Sequence, residues 1–157
     1  MAKAGVQFSK KDDWATPKTI VAHFGRFDYD PATTETKAEE FGIPNFDTAE
    51  TDGLKSDWTR FYRIWINPPF TRKQEFLKKA VETFWQTKAD IYVLLPIEFL
   101  TTKSFHDILR PWGGVVYVPN GRIKFESFET KASSPAFGSC VMKLADISTI
   151  IMERIAI

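Results

Sequence analysis

The sequence predicts one α/β domain on a mostly parallel sheet that closes in an antiparallel C-terminal hairpin. Three observations lead there. Short apolar runs at residues 64–67, 91–95 and 115–118 alternate with helical patterns, and strand-helix-strand alternation marks right-handed parallel crossovers. The 157 residues, 43% of them hydrophobic, suffice for a single core. Beyond residue 118 the helical periodicity stops and strand-like alternation takes over.

Each element carries its own signal. Residues 1–12 are polar and aperiodic, a flexible lead before a domain of residues 13–157. Thr16-Pro17 reads as a helix start, with Thr as N-cap and Pro in the first turn, and Gly25 as its stop. Residues 27–30 read as a short strand. Residues 34–41 hold Glu, Lys and Ala and close at Gly42, a second helix. The acidic stretch to Asp57 is expected to be irregular, with a turn at Asp52-Gly53.

Residues 64–67 form a buried strand. Residues 72–87 then place Phe76, Leu77, Ala80, Val81 and Phe84 at helical spacing. The strand at 91–95 stops at Pro96, a short helix spans 102–109, and Gly113-Gly114 lead into the strand at 115–118. Residues 122–125 alternate as an edge strand, the stretch to Pro135 is a loop, and 137–144 is a closing strand. The pattern of 147–157 fits a helix or a strand equally.

Net charge is only +1, which does not announce a nucleic-acid binder, but the distribution is uneven. Residues 1–57 carry 7 Lys/Arg against 11 Asp/Glu, and residues 58–131 carry 12 against 7. A basic middle suits a phosphate backbone lying along one face. The single cysteine, Cys140, excludes an intrachain disulfide framework and fits a reducing compartment. No run is long enough for a signal peptide or a membrane span, so a soluble intracellular chain is expected. His23 and His106 are too few and too separated for metal or triad chemistry.

The chemistry concentrates at Asn67-Pro68-Pro69-Phe70, directly after Ile64-Trp65-Ile66. Two prolines fix two φ angles and hold the strand end rigid. The Asn67 side-chain oxygen and the Pro68 carbonyl can accept both hydrogens of one amino group while the Phe70 ring lies against an aromatic base. An exocyclic amine is a poor nucleophile because its lone pair is delocalised into the ring. Accepting both hydrogens favours a pyramidal nitrogen aimed at a methyl donor, with the gain largest as the nitrogen becomes positive. In an open α/β sheet, ligands bind beyond the carboxyl ends of the strands, so Asp30-Pro31-Ala32, Asn67 to Phe70 and Pro96-Ile97-Glu98 should converge at one rim.

Taken in order, several segments resemble the compact phage-type DNA N6-adenine methyltransferases, a Dam-like family. They are Asp13-Trp14-Ala15-Thr16-Pro17, Phe27-Asp28-Tyr29-Asp30-Pro31-Ala32, Asp52-Gly53-Leu54, Asp57-Trp58, Asn67-Pro68-Pro69-Phe70, Leu95-Pro96 and Gly121-Arg122-Ile123-Lys124-Phe125, spanning residues 12 to 144. Alone, the tetrapeptide also resembles RNA-modifying and glutamine-modifying methyltransferases. A catalytically inactive nucleic-acid-binding module is the alternative from another class.

The resemblance implies a Rossmann-like fold, S-adenosyl-L-methionine as methyl donor, and adenine N6 in double-stranded DNA, at GATC-like sites, as acceptor. It implies Asn67, Pro68, Pro69 and Phe70 as the catalytic segment. For the donor it implies Trp14, Thr16 and Pro17 as the N-terminal segment, Asp28, Asp30 and Ala32 at the methionine end, and Asp57 with Trp58 at the adenine. Many adenine methyltransferases have a glycine-rich turn after the first strand, whereas Asp30-Pro31-Ala32-Thr33-Thr34 has none. Candidate DNA contacts are Arg72, Lys73, Lys103, Arg122, Lys124 and Lys131. No metal is implied, and the implied setting is the cytoplasm of an infected bacterial host. The sequence leaves the oligomeric state open.

Overall fold

Three consecutive residues with no accessible surface, Ile64, Trp65 and Ile66, mark the centre of the sheet. Burial on both faces explains why this strand is a continuous apolar run. A computed structural model describes residues 16–125 and 138–157, so the expected lead, the loop before Pro135, Trp14 and Lys131 lie outside the described residues.

Among the described residues the strands are β1 (Tyr29–Asp30), β2 (Asn45–Phe46), β3 (Arg63–Ile66), β4 (Asp90–Pro96), β5 (Gly113–Pro119), β6 (Ser139–Ala145) and β7 (Ile150–Ile155). Their spatial order is β2-β1-β3-β4-β6-β5-β7. β2, β1, β3 and β4 are mutually parallel, β6 runs antiparallel to both β4 and β5, and β7 lies parallel to β5. The predicted parallel core and antiparallel C-terminal pairing are both present.

The helices are α1 (Lys18–His23), α2 (Glu35–Phe41), α3 (Lys73–Thr87) and α4 (Lys103–Leu109). Strand alternation sorts the core into two layers. Ile64, Ile66, Ile91, Val93 and Leu95 face one side with Phe76, Leu77, Ala80 and Phe84 of α3 and Phe105 of α4. Trp65, Tyr92, Leu94 and Val141 face the other with Ile20 and Val21 of α1. Gly42 ends α2 in the left-handed region at φ 69°, and Thr34 caps its start by accepting from the Lys37 amide at 3.2 Å.

Several boundaries depart from expectation. Pro17, not Thr16, holds the cap position of α1, and no side chain caps that helix. The first strand shrinks to two residues, although the Asp28 amide still donates to the Arg63 carbonyl at 2.9 Å. The acidic stretch holds the unexpected β2, two residues too short and too exposed to leave a periodic signal. Residues 122–124 are irregular and Phe125 makes a single-residue bridge, so no edge strand forms there. Burial still alternates: Ile123 and Phe125 are buried and Arg122 and Lys124 exposed. The undecided C-terminal segment is β7, whose residues Ile151 and Met152 are exposed.

Candidate active site

Register places the functional segments on one rim. Tyr29 pairs with Ile64 and Ile66 with Val93, so the chain beyond Asp30, beyond Ile66 and at Pro96 emerges on the same edge. Pro96 pairs with Ser139, so β6 begins at this edge too. Asn67 is half-buried, Pro68 and Pro69 are buried, and Phe70 is half-buried at the start of a 3-10 turn, Phe70–Arg72. The Arg72 amide donates to the Pro69 carbonyl at 2.9 Å, closing that turn. Pro at its head supplies a preset φ of −51°.

Asp30 is only 2% exposed. Its Oδ1 accepts from the Ala32 amide at 2.9 Å, a side chain bonding the backbone two residues on. Burial pushes its carboxyl up to about 7, against the pull of that hydrogen bond. Such a carboxylate is primed to gain from a cation placed beside it. Ala32 borders a narrow cleft of about 10 Å³ with Pro31, Thr48, Gly53, Pro69 and Arg72. Gly53 is required there, because a Cβ would stand 2.0 Å from the Pro31 carbonyl oxygen.

A residue that sequence reasoning missed lies next to Asp30. Asp47 follows β2, its amide donating to the Asp30 carbonyl at 2.9 Å and its carbonyl accepting from the Thr33 amide at 3.0 Å. Tyr29 donates its hydroxyl to Asp47 Oδ2 at 2.5 Å. Partial burial raises the Asp47 pKa, but hydrogen bonds from Tyr29, Ser56 and Thr51 and the Lys79 charge outweigh it and hold it below the ordinary range. Burial first, and the Asp47 carboxylate second, push the Tyr29 phenol far up. An open groove of about 420 Å³ runs beside Asp47, lined also by Phe46, Ser56, Asp57, Arg60 and Phe61. The signal available in sequence was an acidic residue some distance after the first strand, the place where Rossmann-type sites hold a ribose. It was hidden because β2 itself went unseen.

The other assigned residues divide. Asp57 is exposed on the groove, and its hydrogen bonds from the Thr59 amide (2.9 Å) and hydroxyl (2.6 Å) hold its carboxyl below the usual range. Trp58 is 1% exposed and packs in the core, with its indole N–H on the Gly53 carbonyl at 2.7 Å. Both oxygens of Asp28 accept backbone amides, from Tyr62 and Arg63, each at 2.9 Å, at the amino end of β3. It ties β1 to β3 on the edge away from the rim.

Thr16 is 3% exposed and its hydroxyl has no hydrogen-bond partner among the described residues. Pro17 is half-buried beside it. Such an orphaned oxygen fits a segment that completes its contacts on a ligand.

Arg72 also departs from expectation. It is turned inward, with Nη1 3.5 Å from Asp52, Nη2 3.5 Å from Glu75 and its guanidinium over the Phe76 ring at 5.8 Å. Lys73 is likewise half-buried, with Nζ on the Phe70 carbonyl. Lys103, Arg122 and Lys124 are exposed. Among the described residues no group of three or more His, Cys, Asp or Glu could hold a metal ion, and no helix is long and apolar enough to cross a membrane.

The chain is similar to several known proteins. The chain is 31% identical over 137 residues to the DNA N-6-adenine-methyltransferase of Escherichia phage T1, covering 76% of this chain and 56% of that protein. It is 31% identical over 136 residues to the protein of the same name from Haemophilus phage HP1 (strain HP1c1), covering 83% and 75%. The chain thus spans little more than half of the phage T1 protein. A Listeria monocytogenes protein described as a class I S-adenosylmethionine-dependent methyltransferase aligns with a TM-score of 0.42 at 11% identity, covering 80% of this chain and 49% of that one. The family model for DNA N-6-adenine-methyltransferase (Dam) matches residues 3–154, and the chain belongs to that family.

Proposed function

We propose that the chain transfers a methyl group from S-adenosyl-L-methionine to N6 of an adenine flipped out of double-stranded DNA, at GATC-like sites. The observation that carries this is the rigid Asn67-Pro68-Pro69-Phe70 turn on the same rim as the buried Asp30. Family membership supports it.

When bound, the donor supplies an electrophilic methyl on a sulfonium. The residues present fit it: Asp30 would face the methionine ammonium, and Asp47 and Asp57 with the Phe46 and Phe61 rings line a groove suited to its adenosine. Asn67 and Pro68 would accept the two amine hydrogens and raise the lone pair out of the ring plane. Phe70 would stack the base and hold its nitrogen in line. Pro68 and Pro69 keep that geometry from relaxing, at little entropic cost on binding. After transfer the nitrogen sheds one proton to water, so no strong base is needed in the clamp.

Exposed Lys103, Arg122 and Lys124 would supply the phosphate contacts. The setting is the cytoplasm of a phage-infected bacterium, where methylation would mask DNA from restriction.

The test offers tritiated donor with duplex DNA, RNA and protein, followed by digestion of the DNA with enzymes that cut GATC only when methylated or only when unmethylated. Label in duplex DNA with altered cutting is expected. Label in RNA or protein alone would reassign the substrate, because the clamp accepts any planar amine or amide. No donor binding at millimolar concentration would favour an inactive scaffold.

A further inference from the structure

Lys73 opens α3 immediately after the catalytic turn, where sequence alone ranks it with the phosphate contacts. Its surroundings differ from those of a phosphate-binding lysine. Nζ lies 4.2 Å from the centroid of the Phe70 ring and donates to the Phe70 carbonyl at 3.2 Å. It also lies 5.4 Å from the centroid of Phe99, a ring only 4% exposed in the turn that follows β4. Exposed Lys103 of α4, in contrast, pairs with Asp107.

An ammonium that engages both the ring and the carbonyl of one residue fixes that residue at two points. It therefore restrains the tilt of the Phe70 ring as well as its position. Partial desolvation strengthens the attraction to the ring face. The same ammonium bridges the turns after β3 and β4, so the Phe70 ring is referenced to two strands.

We propose that Lys73 is a positioning residue that sets the plane of the Phe70 ring for the target base. This assignment rests on the methyltransferase function proposed above. The stack forms before methyl transfer and persists through it, so Lys73 acts on DNA binding more than on the chemical step.

The experiment compares the unaltered chain with Lys73→Met, Lys73→Arg, Phe70→Leu and Phe70→Leu/Lys73→Met, using S-adenosyl-L-methionine and unmethylated duplex DNA. Lys73→Met should raise KM for DNA about tenfold, leave kcat and the KM for donor within about threefold, and leave the salt dependence of DNA binding unchanged. Lys73→Arg should restore most of the loss. In the Phe70→Leu background Lys73→Met should add nothing, since the coupled partner is gone.

An unchanged KM in Lys73→Met overturns the assignment. So does a salt slope reduced by about 0.9, the mark of a lost phosphate contact. Loss of donor affinity and melting temperature without rescue by Arg would make Lys73 merely structural and overturns it too. Failure of the unaltered chain to methylate DNA sinks the functional proposal instead. The contact is then judged in the free protein from the labelled ring resonances of Phe70, which Lys73→Met should shift and Lys73→Arg should preserve; unshifted resonances overturn it.

Discussion

Tyr29 donates its hydroxyl to Asp47 Oδ2 across 2.5 Å, joining the first strand to the acidic residue that follows the second. The pair fixes a carboxylate beside the open groove that we propose for the donor. Replacing Tyr29 with Phe removes the donor and leaves Asp47 less strongly ionised. The expected outcome is a loss of about 1 kcal/mol of stability by urea unfolding and a several-fold weaker donor affinity by calorimetry. Unchanged donor affinity would place the bound ribose away from Asp47.

Asn67→Ala should bind donor normally and lose transfer by about 100- to 1000-fold, the range seen when one preorganised charge-stabilising group is removed. Parallel calorimetry and tritium assays measure both. Loss of donor binding as well would mean that Asn67 shapes the donor pocket.

Asp30 gives a pH dependence with a definite sign. Its folded pKa is raised from 3.8 to about 7, so between those values the folded chain holds a proton that the unfolded chain has lost. Stability from this group is therefore fully present below about pH 4 and declines as pH rises toward 7. Asp30→Asn should be more stable than the native chain at pH 8 by about 2–4 kcal/mol and nearly equal at pH 4, while binding donor more weakly at pH 8. Donor binding to the native chain near pH 6.5 should release protons, seen by calorimetry in buffers of different ionisation heat.

Gly53→Ala forces a Cβ to within 2.0 Å of the Pro31 carbonyl oxygen, a backbone atom that cannot swing aside. The expected cost is about 1–3 kcal/mol, together with weaker donor binding because the Pro31-Ala32 turn must shift. Thermal melting with and without donor separates the two effects.

The basic residues should divide by salt dependence. Replacing exposed Arg122 or Lys124 with Ala should flatten the slope of log affinity against log salt by about 0.9 each. Arg72→Ala should leave that slope unchanged, because its guanidinium is committed to Asp52 and Glu75. Fluorescence titrations with a labelled duplex at several salt concentrations decide it.

What sequence revealed depended on whether the signal was local. Ile64-Trp65-Ile66, the stripe of α3 and the Gly42 stop are local patterns, and each forms where its residues dictate. β2 was illegible because two half-exposed residues have no period, and β7 because an edge strand exposed over four residues has no buried face to print a pattern. The clamp residues lie where strand polarity puts them. Asp28, Trp58 and Arg72 resist reading from sequence for a different reason. Their partners lie 34, 5 and 20 residues away, and a carboxylate, an indole and a guanidinium in a motif look the same whether they face a ligand or their own chain.

β6 runs against both of its neighbours, so the chain leaves β5 at Pro119 and re-enters at Ser139 on the same rim as Asn67. Exposed Arg122 and Lys124, set beside buried Ile123 and Phe125, thus follow β5 on that rim. Exchanges at those two exposed positions should alter the surface offered to DNA without displacing the core residues between them.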